Sequence, residues 1–150
     1  MGHPKFHRKT YETPKRPWDK QRLEEERKLM RAYGLRRKHE LWKHASFLRN
    51  IRRTARELLA KHDKEKEKAL LKKLYDLGLL EKNAKLEDVL NLTIEDILKR
   101  RLQTIVYQKG FATSIKHARQ LVAHKHVKVN DRIVAWPSYL VKRNDEVKVV

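Results

Sequence analysis

Residues 100 to 130, RRLQTIVYQKGFATSIKHARQLVAHKHVKVN, limit the possible folds more than any other stretch of the chain. Two short segments with apolar residues at three- and four-residue spacing flank Lys109-Gly110-Phe111-Ala112-Thr113, and the alternation Val127-Lys128-Val129 then begins a strand. The pattern predicts a helix-turn-helix-strand unit. In its second half the polar positions are cationic, hydrogen-bonding or imidazole-bearing, and none is acidic. Such a face calls for a polyanionic partner.

Charge along the chain supports that expectation. The 38 Lys and Arg outnumber the 19 Asp and Glu, for a net +19. Residues 1–60 carry 18 basic and 7 acidic side chains, residues 61–99 carry 9 of each, and residues 100–150 carry 11 and 3. The expected arrangement is two basic regions on opposite sides of a neutral apolar scaffold. No cysteine is present, which removes disulfides, thiolate zinc sites and cysteine catalysis and points to an intracellular chain. No apolar run approaches the roughly 18 to 20 residues needed to span a bilayer, and the first residues hold no apolar signal core, so a soluble chain is expected. The basic segments also lack the wide apolar face with aromatic anchors that a membrane surface would need.

Three parts are expected in chain order. Residues 1–18 read as an extended basic arm, in which Lys5, Arg8 and Lys9 lie among prolines and are placed to follow phosphates. Residues 19–99 read as a helical domain. Its first helix spans Asp19 to Tyr33 and stops at Gly34; the next runs from about Arg37 to Lys61 with Leu41, Ala45, Leu48, Ala55 and Leu59 as its stripe. The other face of that helix carries Lys43, Arg49, Arg52, Arg53 and Arg56, candidates for phosphate contact. Asp63 to Lys68 reads as a weakly structured connection before a helix built on Leu70, Leu71, Leu74 and Leu77 and capped at Gly78. Lys85 to Leu92 makes a further short helix, with Leu86, Val89 and Leu90 inward. Thr93-Ile94-Glu95-Asp96 has the form of a capping box opening a helix that continues through Val106 to Gly110.

Residues 100–150 form the third part. Ser114 or Thr113 caps a helix burying Ile115, Ala118, Leu121 and Val122 and exposing Lys116, His117, Arg119, Gln120 and His124. Asn130-Asp131 turns a hairpin, and Asn144-Asp145 turns the chain into a last strand ending at Val150. The fold class is therefore α+β, with an N-terminal helical region and two helices packed on a small twisted antiparallel sheet.

These residues carry a family resemblance. Arg100-Arg101-Leu102-Gln103, Tyr107-x-x-Gly110-Phe111, Ser114, Ala118-Arg119-Gln120-Leu121-Val122, His124, Val127-x-Val129-Asn130 and Ser138-Tyr139 resemble the RNA-binding module named after ribosomal protein S-four. Arg8-Lys9-Thr10-Tyr11-x-Thr13-Pro14, Tyr33-Gly34-Leu35-Arg36 and Ile51-Arg52-Arg53-Thr54-Ala55-Arg56-Glu57-Leu58-Leu59 are similar to the archaeal and eukaryotic branch of that family. The resemblance implies a primary binder of small-subunit ribosomal RNA at a multi-helix junction in the 5′ domain. It further implies a role in nucleating assembly of the body and in decoding accuracy, protein S-five as a neighbour, and a place in the cytoplasmic small subunit. By motif it puts Arg101, Tyr107, Thr113, Ser114, Arg119, Gln120, His124 and Asn130 on the RNA; charge and helix face add Lys116, His117, His126 and Lys128. Three positions depart from the family pattern: Ile115 replaces a frequent arginine, Gln103 a frequent aspartate, and Asp131 stands where an Asn-Gly turn is usual.

The chemistry agrees with a binding protein. An A-form helix offers phosphates, 2′-hydroxyls and junction geometry rather than a readable major groove, and arginine forks meet two phosphate oxygens at once. Ser114 at a helix start is a further candidate anion site. The histidine pairs His124/His126 and His3/His7 lack evident third and fourth metal ligands. No nucleophile with its base is visible, and no cofactor or small-molecule substrate is expected. The rivals are a structured-RNA binder outside the ribosome, a fragment of an RNA-modifying enzyme using the same module, and a DNA architectural protein.

Overall fold

The computed structural model describes residues 9–149; Lys5, Arg8, His3 and His7 lie outside the described residues. Helix α1 (Lys20–Ala32) begins where the Asp19 carboxylate accepts the Arg22 amide, and it ends at Gly34 with φ +57°. Helix α2 (Lys38–Lys61) is the central rod of the N-terminal part. Its buried side is Leu41, His44, Leu48, Ile51, Ala55 and Leu58, whereas Leu59 is exposed. Leu41, Leu48 and Ala55 of the predicted stripe are buried together with the flanking Ile51 and Leu58, and Leu59 falls outside; His44 lies inside because the ring has a buried partner that sequence spacing does not reveal.

Helix α3 (Lys64–Asp76) starts earlier than expected. Asp63 accepts the Lys66 amide, so the predicted loose connection at 63–68 is the first turn and a half of helix. Leu74 is its fully buried anchor. Helix α4 (Leu86–Asn91) buries Leu86 and Val89. Thr93 then opens helix α5 (Ile94–Lys99) through the expected reciprocal box: the Asp96 amide donates to the Thr93 hydroxyl and the Asp96 carboxylate accepts from the Thr93 amide at 2.9 Å.

The single helix expected from Thr93 to Gly110 is two. Helix α5 stops at Lys99, and helix α6 (Leu102–Gln108) begins after Arg101, whose ψ of 141° is extended. The break has a tertiary cause. Leu102 and Val141 exchange backbone hydrogen bonds with Tyr139 and Arg100 at 2.7 and 3.0 Å, so this corner of the chain pairs with the 139–141 segment instead of continuing as helix. Helix α7 (Ile115–Ala123) is capped by Ser114 and packs on α6 through Ala118 and Val122.

Three short strands complete the module: β1 (Val127–Val129), β2 (Arg132–Ile133) and β3 (Val147–Val149), antiparallel in the order β2-β1-β3. Asn130 and Asp131 turn the hairpin with φ of 47° and 67°, the two left-handed positions of a type I′ turn. One core, around Leu48, Ala55, Leu74, Val89 and Ile97, fills the helical part; another, around Leu102, Val106, Ala118, Val122, Val127 and Val147, fills the module. A smaller cluster of Leu35, Leu41 and Leu98 lies beneath α1.

Candidate nucleic-acid interface

Arginines join the two cores. Arg101 is 1% exposed. Its guanidinium reaches Glu40 at 2.8 Å and the Nε2 atom of His44 at 3.0 Å. For His44 to accept there, its ring must be neutral and protonated on Nδ1. Burial, reinforced by the Arg101 charge, holds it that way by lowering the His44 pKa to about 4. Burial alone would raise the Glu40 carboxyl, but hydrogen bonds and charge from Arg119 and Arg101 outweigh it and bring the pKa down to about 2. Arg119 donates to both Glu40 oxygens at 3.2 Å, and the Arg36 amide donates to one of them at 3.3 Å. Glu40 therefore ties the first turn of α2 to both helices of the module.

A second joint lies at the C-terminal end of α3. Arg100 donates to Leu77 O and Val141 O at 3.0 and 2.7 Å, and Arg143 donates to Leu80 O at 2.9 Å while stacking over Tyr75. At Leu77 O, the C-terminal cap of α3, the Arg100 cation meets the negative end of the helix dipole. A side chain at Gly78, where φ is +69°, would collide with the Arg100 guanidinium at 2.8 Å. At a third joint Gln103, fully buried, donates to Gly34 O and Ile115 O at 3.2 and 3.0 Å.

These contacts give several of the sequence candidates partners inside the protein. Arg101 is not on the surface: it is the buried centre of the joint. Arg119 is partly exposed and paired to Glu40. Arg52 is half-buried and donates to Leu92 O at 2.6 Å, which fixes α4 against α2. Asn130 is exposed, yet both ends of its amide are engaged: Nδ2 donates to Asp145 and Oδ1 accepts the Glu146 amide. Each of the four performs an internal task that sequence-level charge counting cannot see.

Elsewhere the expected face is open. Tyr107, Thr113, Ser114, Lys116, Gln120, His124 and His126 are exposed, and His117 and Lys128 are half-buried. Ser114 accepts the His117 amide and Thr113 meets the His117 ring, so the helix start is partly occupied by its own side chains. His124 and His126 stack with ring centres 6.4 Å apart. Among the described residues no group of three or more His, Cys, Asp or Glu is placed to hold a metal ion, and no helix is long and apolar enough to cross a membrane.

On α2, Arg53 and Arg56 are exposed, and Arg49 pairs with Glu12. Tyr11 and Glu12 lie against this helix: Glu12 donates its amide to Ser46, Tyr11 stacks on His39 and sits beside Trp42, and Lys9 lies over the Tyr11 ring. The described part of the arm is thus tied to α2 at Tyr11 and Glu12, while most of its other residues are exposed.

Part of the first basic region meets the second. Arg36, Arg37, His39 and Lys43 from the start of α2 and Arg119, Trp136, Pro137 and Ser138 from the module line one cleft of about 470 Å³, with Arg101, Glu40 and His44 in its wall. Sequence reasoning did not single out Arg37 or Trp136; the signal available was a tryptophan immediately before Pro137, where the chain leaves the hairpin.

Two family models account for nearly all of the chain. One, for the ribosomal protein S4/S9 N-terminal domain, matches residues 5–99, and one for the S4 domain matches residues 100–147. The chain belongs to the small ribosomal subunit protein uS4 family. The uS4 protein of Ignicoccus hospitalis is 56% identical over 149 residues, covering 97% of this chain and 90% of its own. That of Methanothermobacter thermautotrophicus is 46% identical over 152 residues, covering 99% and 89%. That of Methanocella arvoryzae is 47% identical over 156 residues, covering 97% and 76%. The archaeal resemblance read from the motifs is therefore shown, as is the module of helices on a small antiparallel sheet. One departure from the uS4 pattern, Gln103, has a use in this structure: its side-chain amide donates to the backbone carbonyl of residue 115.

Proposed function

We propose that this chain is a structural component of the small ribosomal subunit that holds a folded segment of its ribosomal RNA. Membership of the uS4 family supports the assignment. The physical observation that carries it is the cleft, where cations from both halves of the chain gather round one carboxylate, Glu40, that is already satisfied by arginine. A rigid body presenting cations on both sides of a cleft favours an RNA junction whose helices already converge, and so shifts the RNA toward that folded form. In this reading residues 1–18 act as a basic arm, 19–99 as a helical domain and 100–150 as the RNA-binding module. The RNA is the multi-helix junction of the 5′ domain. The protein nucleates the body, neighbours protein S-five, influences decoding accuracy and works in the cytoplasm without catalysing a reaction.

The test is a binding titration of the chain against a 5′-domain junction transcript and against duplex DNA of equal length at matched salt. Tighter binding to the junction is expected, with an affinity that falls by orders of magnitude from low to moderate salt if about 6 phosphates are neutralised. Equal affinity for the two nucleic acids, or affinity insensitive to salt, overturns the reading.

A further inference from the structure

Trp136 is 72% exposed at the rim of the cleft. Leaving a large aromatic ring in water forgoes the free energy its burial would release, so a solvated tryptophan on a fixed support is a surface awaiting a partner. The support is fixed here. The Trp136 carbonyl accepts the Tyr139 amide at 3.0 Å, the Pro137 carbonyl accepts the Gln103 amide, and the Tyr139 carbonyl accepts the Leu102 amide at 2.7 Å, which anchors the loop to the start of α6.

Across the cleft, Arg36, Arg37 and Lys43 are charged side chains with no carboxylate in ion-pair contact among the described residues. Glu40, the one acid in the wall, already accepts from Arg101 and Arg119. The buried Arg101 also keeps an Nε–H with no acceptor. The cavity falls within the roughly 300 to 1,000 Å³ typical of sites for small organic groups. A flat, unsatisfied π-face opposite unpaired guanidinium and ammonium groups matches a nucleobase attached to its phosphate better than it matches a free anion or an apolar peptide.

We propose that this cleft receives one unpaired nucleotide of the bound RNA, its base stacked on Trp136 and its phosphate held by Arg37, Arg36 and Lys43. The proposal rests on the RNA-binding reading above and adds a single-stranded element to it. Stacking gives the protein a way to distinguish a junction with an extruded base from a fully paired helix of the same charge.

The experiment measures binding of the full chain to the small-subunit 5′-domain transcript of Ignicoccus hospitalis, comparing the parent with Trp136→Ala, Trp136→Phe and Arg37→Gln. At about 1 to 3 kcal/mol per stacked base, Trp136→Ala should weaken binding by about 5- to 150-fold, with Trp136→Phe recovering most of it. The slope of affinity against salt should be unchanged in Trp136→Ala, because no charge is lost. It should fall by about 0.7 to 0.9 in Arg37→Gln. RNA should also quench the parent's tryptophan fluorescence more than that of Trp136→Phe.

Wild-type affinity of Trp136→Ala overturns the proposal while leaving the RNA-binding reading standing. So does a deficit that appears only when other small-subunit proteins are present, which would assign the ring to a protein neighbour. Failure of the parent to bind the transcript overturns both. A flattened salt slope in Trp136→Ala points to disruption of the whole face and also counts against stacking.

Discussion

Arg53 and Arg56 on the outer face of α2 and Arg100, Arg101, Arg119 and Arg143 in the module are used in opposite ways, while Arg49 and Arg52 of α2 are already paired to Glu12 and Leu92 O. On α2, Arg53 and Arg56 extend into solvent, and neither reaches beyond its own helix: Arg53 approaches Glu57 and Arg56 donates to Arg52 O one turn away. In the module, Arg100, Arg101, Arg119 and Arg143 all reach out of their own elements to carbonyls or to Glu40 in the helical part. The same residue type serves as a free charge in one region and as a joint in the other. Net charge therefore overstates what the module offers to RNA. Its exposed contribution comes largely from lysines, imidazoles and aromatic rings.

The largest expected effect comes from the joint. Arg101→Ala leaves Glu40 and His44 facing each other without the cation that organises them, and removing one member of a buried ionic cluster typically costs about 3 to 5 kcal/mol. Chemical denaturation should show a loss of that size, with the module and helical part ceasing to unfold together. A loss under about 1 kcal/mol would mean the contact is surface-like and would erase the contrast between the two regions.

Acid should loosen the same joint before it affects the outer face of α2. The folded pKa of His44 lies at about 4 against an ordinary 6.5, so the folded chain binds fewer protons than the unfolded one between those values. The stability that His44 contributes is complete above pH 6.5 and is lost as pH falls to 4, by roughly 3 kcal/mol at about 1.4 kcal/mol per pH unit. Glu40, with its pKa lowered to about 2, extends the loss below the usual carboxylate range. His44→Gln should flatten the upper part of this profile in urea titrations run from pH 7 to pH 4. A parallel profile in parent and variant would show that His44 is not the group titrating.

What the sequence disclosed follows from the range of each interaction. Local devices were legible: the Thr93 box, the Gly34 and Gly78 stops, the Ser114 cap and the Asn130-Asp131 turn all depend on residues within a few positions of one another. The break at Arg100-Arg101 was not, because it is imposed by strand-like pairing with residues 139–141, some forty positions away. The same reason hid the inward course of Arg101, whose partners Glu40 and His44 come from another helix. Placing Arg119 on an exposed face was right in helical phase and incomplete in consequence, since periodicity gives a direction but not the length at which a long side chain finds a carboxylate. For the cleft, the sequence supplied its cations but not their convergence.

A smaller effect on the fold, and a direct one on RNA, is expected from the outer face of α2. The double charge reversal Arg53→Glu, Arg56→Glu should leave the melting temperature nearly unchanged, as surface substitutions commonly stay within about 0.5 kcal/mol each. If both side chains meet phosphates, the salt slope of RNA binding should decrease by about 1.4 to 1.8. Unchanged affinity would mean that this row only solvates the helix, and the RNA face would then contract to the cleft and the module.

The most discriminating comparison changes geometry and keeps charge, and at Arg56 it has the smallest expected effect. Lysine cannot reproduce the planar fork with which Arg101 meets Glu40 and His44 together, so Arg101→Lys should lose much of what Arg101→Ala loses although the site remains cationic. At Arg56 the same replacement removes one hydrogen bond to a carbonyl of its own helix and leaves an exposed positive charge. Its cost should stay within about 0.5 kcal/mol in denaturation, and the salt slope of RNA binding should not move. If Arg56→Lys instead weakens RNA binding several-fold at constant slope, the fork itself is being read by paired phosphate oxygens. Arginine on α2 would then be as geometrically committed as arginine in the joint, with RNA taking the place that Glu40 holds inside the protein.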